Sequence, residues 1–134
     1  MRISKEQKLK TAEIAKKQKL KLVVIFGSFA SGKNRKDSDL DLGVLSEKEI
    51  SFEKQVALIN EFSQIFKKNV DLSVLNRANP LLLFEASKNP ILLFGKKKEF
   101  FEFRLHAFHA YNDYQPFFKL ENELNKKIIK SYVN

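Results

Sequence analysis

Apolar and polar positions alternate along this chain with two periods, and the changes of period divide it into helices and strands. Apolar residues recur at helical spacing over residues 5–20 and 52–67, which predicts two amphipathic helices. The continuous apolar run at residues 22–26 predicts a strand buried on both faces. Strict alternation over residues 39–44 and 70–75 predicts two more strands.

The second half of the chain is mostly helical in pattern. Residues 80–87 predict a short helix with proline in its first turn, and residues 90–95 predict a fourth strand. Apolar and aromatic residues recur at helical spacing from residue 96 onward, and Pro116 predicts a break or kink that divides this segment into long C-terminal helices. We therefore expect an α+β (mixed α/β) domain whose small mixed sheet is flanked by helices.

Length and composition place this pattern in one domain. The chain has 134 residues, which predicts a single domain over 1–134, with a core over about 20–95 and a helical segment over about 96–134. The lack of cysteine excludes disulfides, thiolate zinc sites and a cysteine nucleophile. No apolar run approaches the ~20 residues of a membrane span, and the N-terminal segment lacks the apolar core of a secretory signal. We expect a cytoplasmic protein without membrane association.

The net charge of +9 favours an anionic partner. A polyanionic nucleotide, an acidic protein and a nucleic acid all satisfy this preference. Nucleic acid is the weaker interpretation, because the lysines are not interleaved with exposed-looking aromatic residues. A homo-oligomer or hetero-oligomer stays open.

Three aspartates on two predicted strands are the strongest candidates for chemistry. Asp39 and Asp41 are two residues apart, so on a strand they point to one face about 6.5–7 Å apart. Asp71 lies on the next predicted strand and adds a third carboxylate if the two strands are neighbours. Like charges this close favour a cation between them, and Mg²⁺ prefers oxygen ligands. Three acids around Mg²⁺ suit phosphoryl or nucleotidyl transfer.

Gly27 and Ser28 directly follow the first predicted strand. Glycine allows a phosphate to approach the backbone closely, and serine offers a hydroxyl and an N–H group to terminal phosphates. Taken alone, a Gly-Ser pair is most often a turn, and an Asp-x-Asp pair is most often a solvated strand face. The order of these features along the chain favours a site.

Residues 27–34 nearly match the P-loop pattern G-x-x-x-x-G-K-[ST], but two observations reject that interpretation. Asn34 stands where a P-loop needs Ser or Thr for Mg²⁺. A predicted strand also begins about five residues later, which leaves no room for the long helix that a P-loop opens. His106 and His109, three residues apart on the C-terminal helix, are interpreted as core or surface residues.

The spacing of the candidate residues resembles a known signature. Gly27-Ser28, ten intervening residues and Asp39-Leu40-Asp41 match the G-S-x10-D-x-D signature of the DNA polymerase β-like nucleotidyltransferase superfamily. The string FGSFASGKNRKDSDLDL resembles the minimal nucleotidyltransferases in particular. Residues 70–116 are similar in general pattern to the second half of MntA-type antitoxins.

This resemblance implies a polymerase β-like fold and a specific reaction. Asp39 and Asp41 would bind Mg²⁺, and Asp71 would be the third acid, which also activates the attacking hydroxyl. Gly27 and Ser28 would hold the triphosphate of ATP. MntA-type antitoxins transfer AMP from ATP to a tyrosine of a partner HEPN-domain RNase toxin. The transfer silences the toxin, and antitoxin and toxin usually form a stable complex.

One departure from the family keeps other functions open. Ser31 stands where the family commonly carries arginine in the G-S turn, and Lys33, Arg35 and Lys36 are the candidate compensating cations. One alternative is an antitoxin that acts by contact alone. Its contact surface would be the aromatic C-terminal helix, with Phe100, Phe101, Phe103 and Phe108. The other alternative is nucleotidyl transfer to a small molecule or an RNA end.

Overall fold

Five helices and four strands make up residues 2–32 and 38–133, the part of the chain that the computed structural model describes. In chain order the elements are α1 (Lys5–Lys17), β1 (Leu20–Phe26), α2 (Gly27–Ser31), β2 (Leu40–Ser46), α3 (Phe52–Phe66), β3 (Val70–Val74), a 3₁₀ turn (Leu75–Arg77), α4 (Pro80–Ser87), β4 (Ile91–Phe94) and α5 (Lys97–Val133). The predicted α+β class is confirmed. Within the described residues, no helix is long and apolar enough to cross a membrane.

The four strands form one mixed sheet in the order β3-β2-β1-β4. Strand β1 is antiparallel to β2 and to β4, and β2 is parallel to β3. A parallel pair needs a long crossover connection, and α3 supplies it between β2 and β3. Residues far apart in the chain therefore meet at the end of the sheet where β1 ends and β2 and β3 begin.

Each face of the sheet carries its own hydrophobic core. One core packs β1, β2 and β3 against α1, α2 and α3, with Leu40, Leu42 and Phe62 fully buried in it. The other core packs β1 against α4 and α5 through Val24, Leu83 and Phe103. Because neighbouring strand residues point to opposite faces, Asp41 and Gly43, which alternate with Leu40, Leu42 and Val44, face the side of the second core.

The ends of three helices show how closely the structure follows the sequence pattern. Helix α4 begins at Pro80, as the proline predicts, and the side chain of the preceding Asn79 accepts a hydrogen bond from the Leu82 N–H. Helix α3 presents Leu58, Phe62 and Phe66 to the core, whereas Phe52, at the predicted start of that helix, is 79% exposed. The N-terminal helix ends three residues earlier than predicted, because β1 extends back to Leu20.

Pro116 does not divide the C-terminal segment. A single helix, α5, runs through it for 37 residues, so the prediction of two helices is wrong. Proline removes one N–H, which would otherwise bond to the carbonyl four residues earlier. Aromatic contacts bridge the position: the Tyr111 ring lies 5.7 Å from Phe118, and the Tyr114 ring lies 5.2 Å from Phe117. These contacts favour a continuous helix across the proline.

Candidate active site

Two of the predicted acids lie directly opposite each other on neighbouring strands. Asp41 of β2 is paired in register with Asp71 of β3 in the parallel ladder. Asp39 lies just before β2, since that strand begins at Leu40 instead of at the predicted Asp39. Leu40 and Leu42 point into the core with α1 and α3, so the acids face the opposite side of the sheet. Asp39 and Asp71 are exposed, whereas Asp41 is half-buried.

The Asp41 carboxyl is the electrostatically strained group of this site. Burial raises its pKa, and the charges of Asp71 and then Asp39 raise it further. A side-chain hydrogen bond with Asp71 also raises the pKa, because it favours the protonated form of Asp41. The charges of Asp39 and Asp71 therefore both act on Asp41, and a cation bound beside them would favour the ionised form of its carboxyl group.

The carboxylates of Asp39, Asp41 and Asp71 are suitable ligands for Mg²⁺, but the three are not arranged closely enough to bind one ion together. Carboxylate oxygens are the donors that Mg²⁺ prefers, and water or phosphate oxygens fill its other positions. Across the described residues, no three Asp, Glu, His or Cys side chains converge closely enough to hold a metal ion by themselves. Asp41 and Asp71 form the hydrogen-bonded pair, and the charge of Asp39 raises the pKa of Asp41 less than the charge of Asp71 does. The three-acid metal site stays a prediction.

Gly27 brings the end of β1 against this pair of acids. Phe26, the last residue of β1, is paired with Asp41, so the chain turns into α2 beside the Asp41 carboxylate. Gly27 has a φ of +71°, and a Cβ on it would overlap Oδ2 of Asp41. Only glycine satisfies both conditions without strain. The Gly27-Ser28 turn and the acid pair are thus one structural unit.

Helix α2 fixes the position of Ser28. Its Phe29 is buried against α1 and α3, and its last residue, Ser31, donates a hydrogen bond of 3.2 Å to the Ser28 carbonyl. Gly32 ends the helix in the left-handed conformation. The candidate cations Lys33, Arg35 and Lys36 lie outside the described residues.

Two cavities lie near this end of the sheet. One of about 300 Å³ is lined by Gly27, Ser31, Glu85, Lys88 and Asn89. The other, of about 700 Å³, includes Asp39 in its wall and is otherwise lined by polar residues of α3 and of the loops beside it: Ser38, Asn60, Ser63, Gln64, Lys67, Lys68 and Asn69. Asp41 and Asp71 line neither cavity, and the smaller cavity reaches the Asp41 carboxylate through Gly27.

The sequence did not indicate Lys88 or Asn89 as site residues. They follow α4, far along the chain from Gly27, and only the antiparallel pairing of β4 with β1 brings them to this end of the sheet. The two histidines, in contrast, behave as interpreted: His106 and His109 are exposed on α5. Tyr111 is a packing residue, since its ring stacks on Phe84 at 3.8 Å.

Comparison with known proteins identifies the family and the fold. A family model described as Polymerase beta, Nucleotidyltransferase matches residues 8–99. A search of curated proteins gave no match.

Solved structures share the fold over almost the whole chain. A toxin–antitoxin complex with AMP-PNP is similar with a TM-score of 0.72 and 21% identity, over 95% of this chain and 98% of that chain. An MntA-HepT toxin–antitoxin structure has a TM-score of 0.69 and 19% identity, over 98% of this chain and 100% of that chain. A complex of tri-AMPylated Shewanella oneidensis HEPN toxin with MNT antitoxin has a TM-score of 0.67 and 19% identity, over 96% of this chain and 98% of that chain.

The raised pKa of Asp41 predicts how its removal changes stability. Ionising this carboxyl costs more in the folded chain than in the unfolded chain, so its contribution to stability falls as pH rises from its ordinary value of 3.8 through the raised pKa. Without metal at pH 7, Asp41→Asn should therefore raise the free energy of unfolding and weaken its dependence on pH above about 4. Urea denaturation at several pH values measures both quantities.

Asp113→Asn, at an exposed position on α5, is the matched control and should change neither quantity. A less stable Asp41→Asn protein at pH 7 would show that the Asp41 charge is compensated in the folded chain, contrary to this interpretation.

Proposed function

The chain belongs to the Polymerase beta, Nucleotidyltransferase family, and on this premise we propose that it transfers AMP from ATP to a tyrosine of a HEPN-domain toxin and so acts as an antitoxin. The observation that carries the proposal is the in-register pair Asp41 and Asp71 with Gly27 packed against it. The comparison complexes, one with AMP-PNP and one with an AMPylated HEPN toxin, support the choice of nucleotide and partner.

In the proposed reaction, the tyrosine oxygen attacks the α-phosphorus of ATP. A bond forms between that oxygen and phosphorus, the bond from the α-phosphorus to the bridging oxygen breaks, and pyrophosphate leaves. In this proposal Asp71 would accept the proton of the tyrosine hydroxyl, and its exposure and its position beside Asp41 support that role. The Gly27-Ser28 turn offers backbone N–H groups and the Ser28 hydroxyl to the phosphates.

Asp39, Asp41 and Asp71 would hold Mg²⁺ in this proposal. When bound, the ion would neutralise charge on the phosphate oxygens and orient the α-phosphorus for attack. The carboxylates themselves would lose their mutual repulsion, because a cation between them offsets the like charges that raise the pKa of Asp41. The burial of Asp41 then keeps its carboxylate beside Gly27 instead of in solvent.

The exposed apolar residues of α5 are the proposed docking surface for the toxin. Of the four candidate phenylalanines, Phe103 is buried at 5% and Phe100 packs against the second core, so these two are core residues. Phe101 and Phe108 are 68% and 54% exposed, and Leu105 between them is 58% exposed. Spacings of four and three residues place these three side chains on one face, opposite the buried Phe103.

A second exposed apolar row continues along the same helix. Beyond Pro116 the side chains of Phe117, Leu120, Leu124 and Ile128 are each about half exposed. An exposed apolar surface of this extent is typical of a protein–protein interface. It also favours the second candidate function, an antitoxin that neutralises its toxin by contact alone, and the transfer reaction is what distinguishes the two.

Thermal melting tests the nucleotide and metal part of the proposal. ATP and Mg²⁺ together should raise the melting temperature, and either one alone should raise it far less, since the acids bind the nucleotide through the ion. At a hundred times the dissociation constant, the expected stabilisation is about 2.7 kcal/mol. In Asp39→Ala/Asp41→Ala the combined shift should disappear, while Asp113→Ala should retain it. An equal shift in the double variant would contradict the assignment of these acids.

Substitutions on α5 test the docking surface. Phe101→Asp/Phe108→Asp should reduce co-purification with a co-expressed HEPN toxin at least about tenfold, because charges would be buried in the interface. Phe52→Asp is the matched control: it places a charge at an exposed phenylalanine of α3 and should leave the complex intact. Undiminished co-purification of the double variant would remove this face from the interface.

A further inference from the structure

The smaller cavity beside the acids is built from two distant parts of the chain. Ile25 of β1 is paired with Ile91 of β4, and the two strands are antiparallel. Gly27, two residues after Ile25, therefore lies beside Asn89, two residues before Ile91. The turn that follows β1 and the end of α4 form opposite walls of a cavity of about 300 Å³.

This cavity adjoins the acid pair through a single residue. Gly27 lines the cavity and also contacts the Asp41 carboxylate, where a Cβ would overlap Oδ2. A group bound in the cavity therefore lies next to the reacting centre. The volume is at the small end of the range for ligand pockets, about 300–1,000 Å³, so the cavity suits a chain of phosphates better than a whole nucleotide.

Lys88 supplies the positive charge of this cavity. Among the five described residues that line it, Lys88 alone is cationic. Its Nζ lies 3.4 Å from Oε1 of Glu85 and 5.1 Å from the centre of the Phe84 ring. Phe84 in turn stacks on Tyr111 of α5. The half-exposed ammonium group thus lies over an aromatic ring at the cavity wall and remains accessible to a ligand.

We infer that Lys88 neutralises the β- and γ-phosphates of a nucleotide whose triphosphate the Gly27-Ser28 turn holds at the mouth of this cavity. This inference rests on the proposed function, which requires a nucleotide triphosphate beside Asp41. The triphosphate brings several negative charges to an end of the sheet that already carries three carboxylates. If Lys88 exchanges its partner Glu85 for phosphate oxygens, its ammonium group compensates the negative charge of the triphosphate through charge-assisted hydrogen bonds.

Isothermal titration with AMP-PNP and with AMP, each with Mg²⁺, tests the assignment of Lys88. Lys88→Ala should raise the dissociation constant of AMP-PNP about tenfold and leave that of AMP unchanged, because AMP has no β- or γ-phosphate. Lys88→Arg keeps the charge and should remain within about threefold of wild type. Lys10→Ala removes another helical lysine that is paired with a glutamate, Glu6, and should bind both ligands like wild type.

Glu85→Gln provides a second test, in which the expected change in affinity does not go in the direction expected for Lys88→Ala. It removes the carboxylate that competes with phosphate for Lys88, so AMP-PNP should bind as tightly as in wild type or a few-fold more tightly. Both side chains are about half exposed, at 50% for Lys88 and 51% for Glu85, so the melting temperature without ligand should hardly change.

The failures of the two proposals are distinguishable. Wild-type protein that binds no AMP-PNP with Mg²⁺ would overturn the proposed function and this inference with it. Wild-type binding that Lys88→Ala leaves unchanged, or an equal loss for AMP and AMP-PNP, would overturn the role of Lys88 alone.

Discussion

The register between β2 and β3 is the constraint on which the rest of this molecule depends. It places Asp41 opposite Asp71 on a face of the sheet where their like charges raise the pKa of Asp41. The two like charges destabilise the fold, and burial of apolar residues on the other face of the sheet offsets this destabilisation. Leu40 and Leu42, on either side of Asp41, are fully buried against α1 and α3. A shift of one residue would turn these leucines to the wrong face, so the core that stabilises the strand also fixes the acids.

The remaining elements place a turn, two helices and two cavities near the pair Asp41 and Asp71. Helices α4 and α5 pack on the same face as the acids, against β1, and α4 ends beside Gly27. Within the described part of the turn, residues 27–32, no side chain is cationic, and in our proposal Lys88 at the end of α4 supplies the charge. The second cavity has Asp39 in its wall and is otherwise lined by polar residues of α3 and of the loops beside it. Helix α5 carries exposed apolar faces that suit a protein partner.

Much of this arrangement could be predicted from the sequence because local patterns encode it. Alternation and apolar runs located the four strands, and the Gly-Ser and Asp-x-Asp spacing indicated the site. What local patterns cannot encode is pairing between distant segments, and Lys88 and Asn89 reach the site only through the pairing of β4 with β1. Pro116 was misjudged because the aromatic contacts that bridge it depend on the whole helix. Phe52 shares the helical spacing of the buried residues of α3 but is exposed, because it lies one residue after the N-cap Ser51, at the end of α3 that the core does not cover.

In the proposed function, transfer of AMP to the toxin depends on the acids, and ATP with a labelled phosphate measures this transfer most directly. A HEPN toxin is incubated with this protein, Mg²⁺ and ATP labelled at either the α- or the γ-phosphate. We expect the toxin to gain the α-label and not the γ-label. We also expect Asp39→Ala/Asp41→Ala to lower the transfer at least about a hundredfold while the two proteins still bind. A toxin that is neutralised but carries no label, or equal labelling by the double variant, would contradict the proposed transfer reaction.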